Sequence, residues 1–296
     1  NKFIKIFVLI LAAYLVWFNL AESAIPVSLP VPTHPIMFGY YHVDAQYGDF
    51  KDEIKDYTNT QIILQESFLR PDLNNIQGFN DAFTETVALG HKIVYGLGTD
   101  WDQGHDAAKP YWNDIEFIYF FDEPSWDKTQ TETNINFFKS KVTQRNLSQK
   151  LIAINYTPGQ ILNGTSYQAT NLDIIGFEAY LDPSLQNGNT AQALNTQIDQ
   201  VKQKIGNKKM FIVMQAYDRN GAWTNLNSLI DIQIPPYLKA YNDNNVIGLF
   251  AFSYARSGGT KSLGVLTSAH RLIGETILGI APTISPTGIS NIKTKN

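Results

Sequence analysis

Eight short apolar runs, separated by longer amphipathic stretches, constrain the fold of this chain more than any other feature. The runs are Met37–Val43, Gln61–Gln65, Lys92–Gly96, Glu116–Phe121, Leu151–Asn155, Ile174–Phe177, Met210–Met214 and Ile247–Phe252. Near-continuous runs of Ile, Val and Phe are typical of strands that are covered on both faces, as in parallel sheets. Eight strand–helix pairs in about 250 residues predict an α/β fold, a single-domain (β/α)8 TIM barrel.

The stretches between these runs predict the helices, because apolar residues recur in most of them at steps of three and four. The predicted helices are Tyr47–Tyr57, Leu73–Leu89, Lys128–Asn146, Gly159–Ser166, Thr190–Ile205, Leu226–Asn242 and Ser268–Leu278. The third connection, Thr99–Asp114, has the weakest helical pattern. A doubly wound open sheet is the alternative fold, but no Gly-rich phosphate loop follows the first run.

The two ends of the chain differ in composition from its middle. Lys2 and Lys5 flank the start of the apolar stretch Ile4–Phe18, and small residues near Ser23 have the spacing of a cleavage site. These features predict a signal peptide at residues 1–23, a barrel at 24–281 and a flexible tail at 282–296. An uncleaved N-terminal segment would instead attach the protein to a membrane. Both alternatives predict a secreted, periplasmic or cell-surface protein.

Composition argues against several classes of function. The net charge is −4, from 23 basic and 27 acidic side chains, and there is no basic cluster that would attract nucleic acid. The chain has no Cys, which excludes thiol nucleophiles and thiolate metal sites. One loop groups Asp100, Asp102, His105 and Asp106, but its spacing matches no standard calcium or zinc motif. We therefore expect no metal and no cofactor.

Polar and aromatic residues follow every apolar run. In a barrel of this kind, functional groups collect at the carboxyl ends of the strands and in the loops after them. The candidate site residues at these positions are Tyr41, His42, Glu66, Trp101, Asp122, Glu123, Trp126, Asn155, Tyr156, Glu178, Tyr180, Gln215, Tyr217, Tyr254 and Arg256. Together they predict one polar basin lined with aromatic rings.

The segment Ile118–Pro124 reads Ile-Tyr-Phe-Phe-Asp-Glu-Pro, and it resembles the fourth strand of barrel-class glycoside hydrolases. Many of those enzymes carry an acid/base Glu before Pro at this point. The segments Leu172–Tyr180 and Gly248–Tyr254 look like the sixth and eighth strands of the same enzymes. The resemblance covers most of the mature chain by pattern, and it implies a carbohydrate substrate with Glu123 as general acid/base.

The resemblance ends at the seventh strand, where common retaining barrels carry a nucleophilic Glu and this chain has Gln215. A neutral amide cannot stabilise an oxocarbenium ion as a carboxylate does. In one alternative, Asp122 orients the acetamido group of the sugar itself for attack, with Tyr217 assisting. In a second, Glu178 or Glu66 is the partner of Glu123. In a third, the barrel is a non-catalytic glycan-binding or surface-structural protein.

Structural roles are also open for the acidic residues. Asp122 and Glu123 could form a helix-capping pair, since carboxylates satisfy free backbone donors at a helix start. Glu178 could be a core carboxylate paired with Arg256 or Lys209. A phosphate-binding barrel enzyme is the weakest reading, because no predicted strand ends in a Lys that could form a Schiff base.

Overall fold

The computed structural model describes residues 32–41, 51–70, 73–98, 101–180, 191–218, 234–252, 261–262 and 264–281. Within these ranges only the backbone is described for residues 51, 70, 73, 101, 217, 218, 261, 262 and 264–269. The predicted signal peptide and tail lie outside the described residues. In the described ranges, no helix combines the length and apolarity that a bilayer crossing requires.

Eight parallel strands form one sheet. They are β1 Met37–Tyr40, β2 Thr60–Leu64, β3 Lys92–Gly96, β4 Ile115–Asp122, β5 Leu151–Tyr156, β6 Ile174–Ala179, β7 Lys209–Gln215 and β8 Val246–Phe252. Their spatial order is β1, β8, β7, β6, β5, β4, β3, β2, so that each strand beyond β2 pairs with its predecessor in the chain and β8 also pairs with β1. All eight predicted apolar runs are strands. The predicted (β/α)8 barrel is confirmed.

Asn59 closes the seam between β1 and β2. Its backbone N–H donates to the Phe38 carbonyl at 3.1 Å, and its Oδ1 accepts the Phe38 N–H at 2.7 Å. Its Nδ2 donates to the Ile36 carbonyl at 2.8 Å. The two strands approach closely, since a Cβ on Gly39 would lie 2.2 Å from the Thr60 carbonyl oxygen. The missing side chain at residue 39 therefore lets the sheet close on itself.

A helix follows each strand and covers the outside of the barrel. The helices are α1 Lys51–Ile54, α2 Ile76–Ala88, α3 Trp101–Ala108, α4 Lys128–Gln144, α5 Pro158–Asn163, α6 Ala191–Ile205, α7 at 234–240 and α8 Gly264–Ile277. In α4, Asp127 caps the first turn by accepting the Gln130 N–H at 2.8 Å. Ile135, Phe138 and Val142 lie at helical spacing and are buried against the barrel.

The third connection is more regular than its sequence indicates. It contains α3 and then a 3-10 segment, Lys109–Asp114, so the prediction that this connection is the least helical was wrong. Tertiary packing stabilises it. His105 is fully buried among the rings of Trp112 and Phe138, and a Cβ on Gly104 would lie 2.2 Å from Gln65 Oε1. Gly104 weakens helix propensity but allows this close approach.

Aromatic side chains fill the barrel interior. Phe117 and Phe211 are stacked with ring centroids 5.9 Å apart, and Phe250 lies edge-on to Phe211 at 5.3 Å. A Cβ on Gly176 would lie 2.1 Å from Phe211 Cζ, so the glycine provides the space for that ring. Above these rings, at the carboxyl ends of the strands, the interior opens into a cavity.

Candidate active site

A β-bulge in β4 determines which residue of that strand points into the barrel. Tyr119 pairs with Ala153, but Phe121 pairs with Ile154, so Phe120 is an extra residue on β4. Because side chains alternate along a strand, the extra residue shifts the inward position by one. Asp122 consequently pairs with Asn155, and both lie on the inward face of the barrel.

Asn155 links the carboxyl groups of two strands. Its Nδ2 donates to Asp122 Oδ1 at 2.9 Å and to Glu178 Oε1 at 3.3 Å. Tyr119 also donates its hydroxyl to Asp122 Oδ1, at 2.6 Å. Asp122 is therefore held by two donors from inside the barrel as a positioned carboxylate. The alternative role of a helix cap belongs to Asp127, which caps α4.

Glu123 is held in a strained backbone conformation. Its φ is +44°, in the left-handed region that non-glycine residues seldom occupy, while its N–H donates to the Asn155 carbonyl at 2.9 Å. Such strain persists only where the surrounding structure enforces it, and it is concentrated at functional sites. The turn places the exposed Glu123 side chain in hydrogen-bonding contact with Glu178.

The carboxyl group of Glu178 has an unusual proton affinity. Burial raises its pKa from the ordinary 4.5 to about 9, and the negative charges of Glu123 and Asp122 contribute, while the Asn155 hydrogen bond opposes the shift. The raised pKa favours the protonated form of Glu178, in which its hydroxyl group can donate to Glu123. A pairing with Lys209 is excluded, because Lys209 is opposite Ile174, at the other end of β6.

A cavity of about 300 Å³ opens at this end of the barrel. It is lined by Tyr41, Leu64, Glu66, Leu97, Tyr119, Phe121, Asp122, Asn155, Glu178, Tyr180, Val213 and Phe252. Six of the predicted site residues are among these: Tyr41, Glu66, Asp122, Asn155, Glu178 and Tyr180. The structure brings them together with Glu123, which contacts Glu178.

Two tyrosines form the floor of the cavity. The rings of Tyr41 and Tyr119 are 5.9 Å apart and edge-on, and Phe252 lies 5.8 Å from Tyr41. Burial, together with the nearby Asp122 charge, raises the pKa of both tyrosines well above 10. Both hydroxyl groups therefore keep their protons, and the Tyr119 hydroxyl donates its proton to Asp122.

Three predicted binding residues lie away from the cavity lining. Tyr156 is 1% exposed in the layer between barrel and helices, with its hydroxyl 3.0 Å from Ser166 Oγ, so its predicted contact with substrate is wrong. Gln215 is 3% exposed at the end of β7 and is not among the described residues that line the cavity. Trp126 packs on Phe121, with ring centroids 4.5 Å apart, and supports that cavity residue from behind.

The side chains of the remaining predicted site residues are not described. His42, Tyr254 and Arg256 lie outside the described residues, as does Asp100 of the predicted cation loop. Trp101 and Tyr217 are described in their backbone only.

The acidic loop around α3 is structural. Asp102 and Asp106 both form ion pairs with Arg145, and His105 is buried among aromatic rings. Across the described part of the chain, no group of three or more His, Asp or Glu side chains could hold a metal ion.

Six residues that line the cavity were missed by the sequence analysis: Leu64, Leu97, Tyr119, Phe121, Val213 and Phe252. Tyr119 lies inside an apolar strand rather than at its end, although a hydroxyl in such a run is a signal for an internal hydrogen bond. Phe121 is 47% exposed, because the bulge turns it out of the alternating pattern. Strand periodicity alone gives no sign of a bulge.

Comparisons with known proteins identify no family for this chain. No family model and no curated protein sequence matches this chain. The glycoside hydrolase domain of PgaB (BpsB) from Bordetella bronchiseptica is similar in structure, with 11% identity, a TM-score of 0.48, and coverage of 75% of this chain and 94% of that chain. An endo-β-N-acetylglucosaminidase from Cordyceps militaris has 16% identity and a TM-score of 0.47, with coverage of 82% of this chain and 91% of that chain.

A lyase matches as well as these hydrolases do. Methylaspartate ammonia lyase from Clostridium tetanomorphum has 9% identity and a TM-score of 0.48, with coverage of 84% of this chain and 58% of that chain. Barrels of this class support many chemistries. The chemistry of this chain therefore depends on its site residues rather than on its fold.

Proposed function

We propose that this protein hydrolyses glycosidic bonds, with Glu123 as general acid/base. One observation carries the proposal: the exposed carboxyl group of Glu123 contacts that of the half-buried Glu178, whose pKa is raised, beside the positioned Asp122 at the cavity. Glycoside hydrolysis uses a pair of carboxyl groups, one that delivers a proton to the leaving oxygen and one that faces the anomeric carbon. The predicted role of Glu123 is retained, and Glu178 becomes its proton-holding partner.

The three carboxyl groups divide the chemistry between them. As the glycosidic C–O bond breaks, Glu123 delivers the proton held by the Glu123–Glu178 pair to the leaving oxygen. The Asp122 carboxylate faces the positive charge that develops at the anomeric carbon. Water then adds to that carbon, and its proton returns to the pair. Tyr119 and Asn155 hold Asp122 in place throughout.

Asp122 is positioned for one of two roles. Asn155 Nδ2 lies 2.9 Å from Asp122 Oδ1 and 3.3 Å from Glu178 Oε1, so the Asn155 amide holds both carboxyl groups on the same side of the site. Asp122 acts either as nucleophile or by orienting a group of the sugar that attacks the anomeric carbon.

A glycan-binding barrel without turnover is the second candidate. The buried neutral Gln215 at the end of β7, where a nucleophile was expected, favours it. For either function, we propose a location outside the cytoplasm or at a membrane surface, which rests on the composition of residues 1–23.

Turnover of a broad glycan panel separates the two candidates. Wild type should release reducing ends from at least one glycan, and Glu123→Gln should lose that activity while keeping its fold. Glu116→Gln is the matched control, because Glu116 lies at the opposite end of the same strand and pairs with Lys92 on the surface. No turnover by wild type, with unchanged glycan binding in Glu123→Gln, would select the binding barrel.

A further inference from the structure

The turn at Glu123 is held by two hydrogen bonds, one on each side. On one side, the Glu123 N–H donates to the Asn155 carbonyl at 2.9 Å. On the other side, the carbonyl of the buried Pro124 accepts a hydrogen bond from Gln160 Nε2 at 3.1 Å. Both partners belong to the end of β5 and the start of α5, so one short segment, residues 155–160, holds the turn from both sides.

These bonds are needed because the local sequence does not favour the turn. The φ of Glu123 is +44°, which is unfavourable for a residue with a side chain. Pro124 increases the strain, because a residue before proline prefers an extended conformation with negative φ. Such a conformation persists only where the surrounding structure enforces it, and the contacts from residues 155–160 supply that enforcement.

The side chain of Gln160 is itself fixed by the start of α5. Thr157 is the N-cap: its Oγ1 accepts the Gln160 N–H at 3.3 Å, and Gln160 Oε1 accepts the Thr157 N–H at 2.8 Å. This reciprocal pair is a capping box. A flip of the amide would turn its oxygen toward the Pro124 carbonyl oxygen and its NH2 group toward the Thr157 N–H, so both side-chain bonds would be lost. The capping box therefore directs the amide donor of Gln160 toward Pro124.

We infer that Gln160 is a positioning residue, which holds the carboxyl group of Glu123 against Glu178 by fixing the Pro124 carbonyl. The importance of this contact for proton transfer rests on the proposed function, whereas the contact itself does not. Glu123 follows β4 and Glu178 belongs to β6, and the Glu123 side chain is exposed. Burial therefore does not keep this side chain in place, and the orientation of the turn decides whether the two carboxyl groups meet.

Two substitutions remove the donor of Gln160 in different ways. Gln160→Glu keeps the capping box, in which Glu is as suitable as Gln, but its carboxylate cannot donate to Pro124. Gln160→Met has an unbranched side chain without charge or amide donor. Thr157→Ala is the matched control, because it removes the Oγ1 acceptor of the N-cap and leaves both side-chain bonds of Gln160 in place.

The pKa of Glu178 reports the contact whether or not the protein turns over a glycan. The negative charge of Glu123 is one cause of the raised value, so the pKa should fall when Glu123 moves away. Carboxyl 13C NMR of the full chain should show a fall of about one unit or more in Gln160→Glu and Gln160→Met, as in Glu123→Gln. Thr157→Ala should keep the wild-type pKa, although it should unfold at lower urea concentration.

Turnover supplies a second readout for any glycan that wild type hydrolyses. The ratio of kcat/KM for a dinitrophenyl glycoside to that for an alkyl glycoside should rise by about tenfold in both Gln160 variants, because only the alkyl leaving group needs the positioned proton. Thr157→Ala should keep the wild-type ratio.

The outcomes separate this inference from the proposed function. An unchanged pKa of Glu178 in either Gln160 variant, an equal fall in Thr157→Ala, or an unchanged leaving-group ratio would overturn the inference, and turnover by wild type would leave the proposed function standing. A fall in pKa confined to the Gln160 variants, without turnover of any glycan by wild type, would support the inference and contradict the proposed function.

Discussion

Asp122 and Asn155 are register partners on adjacent strands, and the Asn155 side chain donates a hydrogen bond to the Asp122 carboxylate at 2.9 Å. The partnership depends on the bulge at Phe120, without which the alternation of β4 would direct Phe121 inward. It also gives the adjacent acidic residues different environments. Asp122 is held from inside the barrel, while Glu123 turns at the strand end toward Glu178.

The raised pKa of Glu178 predicts how stability depends on pH. Between the ordinary value of 4.5 and about 9, the folded protein keeps a proton that the unfolded chain has released. The contribution of this proton to the free energy of unfolding is therefore complete below the ordinary pKa of 4.5. As the pH rises toward the folded-state pKa of about 9, this contribution falls by at most about 1.4 kcal/mol per pH unit. Urea unfolding of wild type and Glu178→Gln across this range should show the variant gaining relative stability at high pH. Parallel curves for the two proteins would contradict the assigned proton.

The left-handed backbone at Glu123 predicts an unusual order of stability among variants. Glu123→Gly should be more stable than Glu123→Ala by about 1 kcal/mol, because a Cβ is disfavoured at this φ. At Glu132, within α4, the order should reverse by a similar amount, since Ala favours a helix. Urea unfolding of the four variants measures both differences. The same order at both positions would argue against backbone strain at Glu123.

Phe121 is expected to contribute to substrate binding rather than to proton transfer. Its ring is exposed at the cavity and supported by Trp126. Phe121→Ala should raise KM by about tenfold and leave kcat nearly unchanged, because a stacking surface acts in the ground state and in the transition state alike. Phe137 is another exposed phenylalanine, on α4, and Phe137→Ala should behave as wild type. A fall in kcat without a change in KM would assign Phe121 a different role.

Closure of the barrel at Gly39 can be tested by stability alone. Gly39→Ala should reduce the free energy of unfolding by about 1–3 kcal/mol, because the new methyl group would displace the Thr60 carbonyl. Gly159→Ala is the control, since a Cβ there would meet only Thr157 Oγ1 at 3.9 Å. Equal stability of the Gly39 variant and wild type would mean that β1 and β2 can separate without cost.

The fold follows from the sequence because its signal is repeated. Eight apolar runs and the stretches between them predict a parallel barrel, and the confirmed strand order reflects that pattern. The helix in the third connection could not be predicted from the sequence, because α3 depends on contacts of His105 and Gly104 with distant residues. Local propensity carries no information on such contacts.

The site follows from the sequence only in part. Strand ends predicted Asp122, Asn155 and Glu178 as neighbours, because parallel strands gather their carboxyl ends. Asp122 points inward because of a bulge, and the sequence gives no sign of that bulge. Tyr156 points outward because side chains alternate along the strand and Asn155 points inward. Position at a strand end does not show which way a side chain points. The proton on Glu178 depends on burial and on two neighbouring charges, which only the assembled barrel provides.

The dependence of hydrolysis on the leaving group tests most directly the claim that Glu123 delivers a proton. The measurement is kcat/KM for an alkyl glycoside and a dinitrophenyl glycoside of the same sugar, in wild type and Glu123→Gln. The variant should lose on the order of 10²–10⁴-fold with the alkyl substrate and much less with the dinitrophenyl substrate, whose leaving group needs no proton. An equal loss with both substrates would contradict the account.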